Sequence, residues 1–433
     1  MDTLRFDISK KQGAFKIMHA VNNGPIGRRH GNGQGVRSNF ELYKALNIPY
    51  ARNHDAAHCS AYGGEHTVDI TAIFPNFDAD PYDPESYDFV CTDEYVSITR
   101  DAGTEMFYRL GQKIEHYIKK FNVHPPKDFK KWAVICEHII RHYNEGWAEG
   151  FHYNMQYWEI WNEPDLGDGT TWTGTEEQFF DLYEVAAKHL KSCFPHLKIG
   201  GPALGWDEQW ASRFLSEMKK RNAPLDFFSW HTYRPNPEQI IEKNNRIQKL
   251  LNDNGFGHVE NIFNEWNYVK SWDLPIVESF KVVLSMKGAA FTLACMTAGQ
   301  HSSIDMMMYY DLRPGLFNGL FDHLTLGPLK TYYVFLWYSW MYQRKAEILC
   351  EDQIDHLYTL CGVDDEDKTM TIITYYHEKE EEAADKTFTV DFGKTGEYEV
   401  YLLDETHDAE LIDTTGDLTF TMKPNTCLMI KEK

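Results

Sequence analysis

The chain has 433 residues, of which 42% are hydrophobic and 25% charged, with a formal net charge of −22. This is globular composition, enough for two or three ordinary domains or for one barrel with an appendage. The acidic balance argues against nucleic acid as a partner, which needs a basic footprint, and no run approaches the ~20 apolar residues that span a bilayer.

The first residues, Met1 to Asp7, lack the basic-then-apolar order of a secretory signal. Eight cysteines are scattered without CxxC spacing. Together these predict a cytoplasmic protein with reduced thiols and no disulfide framework. Aromatic residues reach 15%, a surplus that suits a site stacking flat apolar faces, those of sugars included.

In chain order, a first strand is expected over Ala14–Ala20, followed by the Gly-rich segment Asn22–Gly35. That segment lacks the spacing and the Lys-Ser/Thr of a phosphate loop and reads as a βα connection. A helix over Ser38–Leu46 leads into a second strand, Ile48–Arg52. Residues 59–95 form a long insertion rich in Pro and Asp, the kind of loop that walls or covers a site. A helix through Val96–Arg100 precedes a third strand, Glu105–Leu110. The helix Phe129–Asn144 carries Trp132, Ile135, Cys136, Ile139 and Ile140 on one face. The aromatic run from Tyr157 is the fourth strand, and Pro164, which cannot donate a ladder hydrogen bond, marks its end. Further strands follow at Lys198–Pro202, Phe227–Tyr233, Asn261–Asn267 and Ser303–Asp311, separated by helices at about 175–193, 210–221, 237–252 and 280–299. Eight alternating units predict an α/β fold, a (β/α)8 TIM barrel over residues 1–345. From Ala346 short alternating segments with turn signals predict a C-terminal antiparallel β-sandwich over 346–433, to which the first dozen residues can lend a strand. The acidic run Glu378–Glu382 reads as a solvated hairpin loop.

Two carboxylates stand out. Glu163 and Glu265 each follow an apolar strand and an asparagine, Asn162 and Asn264. They belong to strands four and seven, so both project into the carboxyl-terminal mouth of the barrel. Paired carboxylates in a cleft suit glycoside hydrolysis, one protonated as acid and one ionised as nucleophile. Trp158, Trp161, Trp172 and Trp266 flank them, either as sugar-stacking surface or as barrel packing. His54 and His58 are four apart, as in a zinc helix, but they follow a strand and enclose Asp55 instead of Glu, so no metal site is assigned.

The motifs Trp161-Asn162-Glu163-Pro164-Asp165, Gly200-Gly201-Pro202, Asn264-Glu265-Trp266-Asn267, Arg52-Asn53-His54 and His231-Thr232-Tyr233 occur in an order that resembles clan A of the glycoside hydrolases, and within it glycoside hydrolase family 39. That family contains β-xylosidases and α-L-iduronidases. The resemblance implies a retaining, cofactor-free hydrolase of glycosides or oligosaccharides, β-xylosidase-like as first guess. An arabinosidase, galactosidase or uronidase is the alternative within the same chemistry.

The resemblance also implies roles. Glu163 matches the acid/base and Glu265 the nucleophile. Asn162 matches the residue that binds the sugar 2-hydroxyl. Arg52 would hold Glu265 ionised, Tyr233 would orient it, and His54 and His231 would bind hydroxyls of the sugar being released. The end of strand eight, Tyr309-Tyr310-Asp311-Leu312-Arg313, departs from the pattern, with tyrosine where clan A often has tryptophan. Asp311 can reach sugar hydroxyls; Arg313 either pairs with a substrate carboxylate or caps a surface loop. Two other classes stay in view: a catalytically silent sugar-binding protein on a hydrolase barrel, and a metal-dependent hydrolase using His54 and His58. The sequence leaves a homo-oligomer open.

Overall fold

The computed structural model describes residues 2–27, 38–54, 66–313 and 315–433. The Gly-rich segment from 28, together with Asp55, His58 and the start of the insertion, lies outside the described residues.

Strand β1 (Asp2–Lys11) comes first, then β2 (Ile17–Asn22), α1 (Phe40–Ala45) and β3 (Tyr50–Arg52). After α2 (Ile70–Ile73) and α3 (Val90–Asp101) come β4 (Glu105–Leu110), α4 (Phe129–Glu145), β5 (Tyr157–Ile160) and α5 (Glu176–Cys193). The chain continues through β6 (Lys198–Leu204), α6 (Glu208–Lys220), β7 (Phe227–Tyr233), α7 (Pro237–Asp253) and β8 (Glu260–Asn267). Helices α8 (Val277–Val283) and α9 (Met286–Gln300) lead to β9 (Met306–Tyr309) and α10 (Lys330–Tyr342). Strands β2 to β9 close into a barrel in sequence order, all parallel, with β9 returning to β2 through Ile17↔Met306 and Val21↔Tyr309.

Side-chain alternation fills the barrel in layers. Ala20, Phe107, Tyr157, Phe227, Ile262, Met306 and Met308 form an apolar plug, with Tyr50 packed on it. Two residues further along the same strands stand Asn22, Arg52, Arg109, Glu159, Ser229 and Asn264, all fully buried. The interior therefore turns from apolar to polar within one pleat, and the polar layer forms the floor of the site.

Four expectations are corrected. The helix expected from 280 to 299 is two helices bent by 76°, because the chain leaves helical geometry between Val283 and Met286. Helix α10 lies where no helix was expected; it is aromatic-rich and buried round much of its circumference, so it lacks a one-face period. The insertion is shorter than it read, since α3 already begins at Val90. The run Glu378–Glu382 is not all solvated: Glu378 accepts hydrogen bonds from Tyr268 and Tyr376 at 2.8 Å and pairs with Lys287 at 3.1 Å, joining the appendage to the barrel.

The remaining strands are β10 (Ala346–Cys350), β11 (Leu357–Val363), β12 (Thr369–Tyr375), β13 (Lys386–Asp391), β14 (Tyr398–Leu403), β15 (Asp408–Thr415), β16 (Thr419–Met422) and β17 (Thr426–Glu432). With β1 they form a curled nine-stranded sheet in the order β15-β14-β17-β12-β11-β10-β1-β13-β16. Its pairs are antiparallel except β1 with β13, so the amino terminus does supply a strand. Leu4, Phe6, Phe388, Val400 and Ile430 build its own core. Helix α9 is wedged between this sheet and the barrel and is buried over most of its surface, which accounts for its largely apolar sequence.

Candidate active site

The fourth strand stops at Ile160, not at Pro164. Trp161 and Glu163 both have positive φ (73° and 47°), so the backbone leaves the ladder and turns Glu163 into the barrel mouth. Left-handed backbone costs roughly 1–2 kcal/mol per non-glycine residue, and local hydrogen bonds offset it. The Glu163 N–H donates to the Ala203 carbonyl at 2.9 Å, and Thr171 Oγ1 donates to the Glu163 carbonyl. The Gly200-Gly201-Pro202 motif has a steric cause: a Cβ on Gly200 would lie 2.3 Å from the Phe227 carbonyl oxygen. Glycine lets β6 and β7 approach at that point.

Glu265 stands on β8 opposite His231 on β7. The register shifts between Trp230 and His231, and again on the β9 side between Phe263 and Trp266. Strict alternation would turn Glu265 away from the interior that Asn264 faces. Such irregularities re-aim side chains next to active sites.

The structure brings seven of the residues named for the site together. An oxygen of Glu163, one of Glu265 and His231 Nδ1 all lie within 4.8 Å of one another. Glu265 accepts hydrogen bonds from Tyr233 Oη at 2.6 Å and from Arg52 at 3.2 Å, and His54 Nε2 lies 3.4 Å away. Asn162 Oδ1 accepts from Arg52 at 2.6 Å, which leaves its buried Nδ2 without a protein partner among the described residues and free to donate to a ligand. His231 has a further contact beside its buried Nε2, which is unpartnered among the described residues. Its Nδ1 shares a 2.8 Å hydrogen bond with Glu163 and stands 3.6 Å from Glu265, so it bridges the two carboxylates.

The tryptophans are not brought to the site surface in the expected way. Trp266 is fully buried, packed against Phe263, Phe291 and Tyr309 in the barrel wall, so it offers no face to a ligand. Trp158, Trp161 and Trp172 are likewise core. They are large and aromatic, and packing used them up. Asp311 is 2% exposed and lies 3.6 Å from Arg313, an ion pair within its own loop.

Sequence reading missed the layer beneath. Glu159 accepts from Arg52 Nε at 2.7 Å and from Asn264 Nδ2 at 2.6 Å. Asn22 accepts from Arg52 at 3.0 Å and donates to the Asn264 carbonyl at 2.9 Å. Arg52 thus bonds Glu159, Asn22, Asn162 and Glu265 from one fixed guanidinium, a planar fork suited to the task. The signal was available: Glu159 is a carboxylate inside an apolar strand, and such a group is rarely buried unless paired. Lys243 was also missed. It is buried, with its pKa pulled down to about 8 by that burial, and donates to the His231 carbonyl at 2.7 Å.

The electrostatics divide the pair. Burial raises the pKa of Glu163, and the negative charge of Glu265 adds to it, outweighing His231. Burial also pushes Glu265 upward, but the charges of His231, His54 and Arg52 and the Tyr233 hydroxyl together overcome it, holding Glu265 at about 2. Burial raises Tyr233 well above its ordinary value, so its hydroxyl stays a donor. One carboxyl is thus disposed to keep its proton and the other to stay ionised.

A beta-xylosidase of Geobacillus stearothermophilus is 29% identical over 253 residues, 51% of this chain and 48% of that protein. The chain therefore spans about half the length of that curated relative. Among solved structures, a glucosidase from Croceicoccus marinus superposes with a TM-score of 0.80 at 20% identity, covering 100% of this chain and 98% of the other. A monomeric beta-xylosidase from Caulobacter crescentus CB15 gives 0.72 at 16%, covering 100% and 99%. At such identities these two likenesses carry the fold, a barrel with a β-sandwich. The sequence pattern of glycosyl hydrolases family 39 matches residues 61–278, half of the chain, and that stretch holds Asn162, Glu163, His231, Tyr233 and Glu265. The chain belongs to glycosyl hydrolases family 39.

Proposed function

We propose that the chain is a retaining glycoside hydrolase that releases a terminal sugar from oligosaccharides or glycosides, with β-xylosides as the first substrate class to test. The observation that carries this is the close, oppositely tuned pair of Glu163 and Glu265. Retaining enzymes hold their carboxyl groups roughly 5–5.5 Å apart, whereas inverting ones need about 6.5–9.5 Å to admit a water. One oxygen from each carboxyl lies within 4.8 Å of one from the other, a close approach that supports the shorter separation.

In this reading Glu265 attacks the anomeric carbon while Glu163 gives its proton to the departing oxygen, leaving a glycosyl ester on Glu265. Ester formation removes the negative charge that helps hold the proton on Glu163. Glu163, left as a carboxylate by that proton transfer, is stabilised in its ionised form and serves as base. It takes a proton from water as that water attacks the anomeric carbon and the ester bond breaks. Asn162 Nδ2 is the donor available to the 2-hydroxyl, a contact that strengthens in the transition state. The xylose preference is supported by the beta-xylosidase relative, while the glucosidase fold neighbour keeps other sugars in the panel.

The test is a panel of aryl xyloside, arabinoside, galactoside, glucoside and iduronide, with product anomers followed by NMR. A retained anomer from at least one member is expected. Glu265→Ala should abolish turnover and regain part of it with azide or formate. Inverted product, or an inert panel, would overturn the proposal.

A further inference from the structure

Resting on the hydrolase reading, we propose that Trp206 is the platform on which the leaving-group sugar stacks, making it the residue that selects the aglycone. Although Trp158, Trp161, Trp172 and Trp266 are buried, Trp206 is 74% exposed. It stands on the short loop between β6 and α6, at the carboxyl-terminal rim of the barrel.

Its position is tied to the acid. Gly205, the residue before it, runs so close to Glu163 that a Cβ there would lie 3.4 Å from the Glu163 carboxyl carbon. The next Cα is about 3.8 Å further on, so the backbone that carries the indole adjoins the point of closest approach to the proton donor. In the proposed reaction Glu163 protonates the oxygen that leaves with the aglycone. The ring bearing that oxygen must therefore sit on the Glu163 side. A second exposed tryptophan, Trp272, lies on the other side: it packs edge-on to Tyr233, whose hydroxyl holds Glu265. Trp206 is the exposed indole beside the acid.

The loop is also held firmly. The Asp165 carboxylate accepts from the backbone N–H groups of Gly205, Trp206 and Asp207 at 2.8, 2.8 and 2.9 Å. Lys243 Nζ donates to the Gly205 carbonyl at 3.2 Å. Asp207 in turn caps α6 through the N–H groups of Gln209 and Trp210. Asp165 belongs to the same turn as Glu163, so acid and platform are fixed to one another by side chain and backbone. A wide apolar face held in water on a fixed loop is preorganised to stack on the flat face of a sugar or aryl ring.

The experiment compares Trp206→Ala and Trp206→Phe with wild type on a disaccharide and on the fluoride of the same sugar, which carries no aglycone ring. The ratio of kcat/KM for the disaccharide to that for the fluoride should fall about tenfold in the alanine variant, about 1.4 kcal/mol, and recover largely in the phenylalanine variant. An unchanged ratio overturns the platform. A binding readout separates this from failure of the hydrolase reading: in Glu265→Gln, titration with the disaccharide should shift tryptophan emission, and adding Trp206→Phe should remove the shift. A shift that survives Trp206→Phe, or no shift at all, also refutes it. An inert wild type with a Trp206-dependent shift would sink the hydrolase and keep the platform.

Discussion

Tyr233→Phe isolates one contribution to the nucleophile. The substitution deletes a single oxygen and keeps the ring that packs against Trp272, Tyr310 and Phe317. What is lost is the 2.6 Å hydrogen bond from the Tyr233 hydroxyl to Glu265 Oε1. Hydrogen bonds to a charged group contribute roughly 1.5–3 kcal/mol. At about 1.36 kcal/mol per pKa unit, Glu265 should rise by roughly one to two units. The sign follows from which form the bond favours. The phenol donates to the ionised carboxylate, so removing it favours the proton, and the burial that already pushes Glu265 upward stays in place. Because Arg52, His54 and His231 remain, the group stays ionised near neutrality. The acid limb of kcat/KM, which reports the free enzyme, should therefore move from near pH 2 to roughly pH 3–4. The basic limb, where Glu163 loses its proton, should hold. The assay is a pH–rate profile with brief exposure at each pH and recovery of activity at pH 6 as the folding control. An acid limb that stays put or moves down would refute the electrostatic account of Glu265.

Other outcomes follow from the same geometry. Trp266→Ala should cost about 3–5 kcal/mol of stability by denaturant titration, as expected for a buried aromatic, with KM of the folded protein unchanged; a raised KM in a stable variant would return Trp266 to the substrate. Gly200→Ala should lower the melting temperature, with a loss of about 1–3 kcal/mol, since its methyl group would meet the Phe227 carbonyl oxygen 2.3 Å away and force β6 from β7. Exhaustive chelation should leave activity intact, because proton transfer and nucleophilic attack are both assigned to carboxylates; loss of activity restored by a divalent cation would favour the metal-dependent alternative.

Much of the barrel was legible because hydrophobic periodicity reports local geometry. Strands β4 and β7 fall where the apolar runs placed them, and Thr175 caps α5 through a reciprocal bond with Gln178. Periodicity failed where a segment is buried over most of its surface. Helix α10 has no polar face to set a phase, and the Val283–Met286 break carries no glycine or proline to mark it. The aromatic content misled in the same way: Trp266 and Trp158 sit beside the catalytic motifs in sequence yet face the wall.

What the sequence determined by itself was the chemistry on offer: two carboxylates after apolar strands, each behind an asparagine, with Arg52, His231 and Tyr233 in an order that fits one barrel. Strand type, alternation and chain order suffice for that, since each depends on near neighbours. Which carboxyl keeps its proton was decided only by the tertiary structure. Charge, burial and hydrogen bonding act through space, and Arg52, His54, Tyr233 and His231 reach Glu265 from β7 and from strands far away in sequence. The aim of each side chain was decided there too. The positive φ at Trp161 and Glu163, and the register shifts on both sides of β8, break the alternation that a sequence reading must assume.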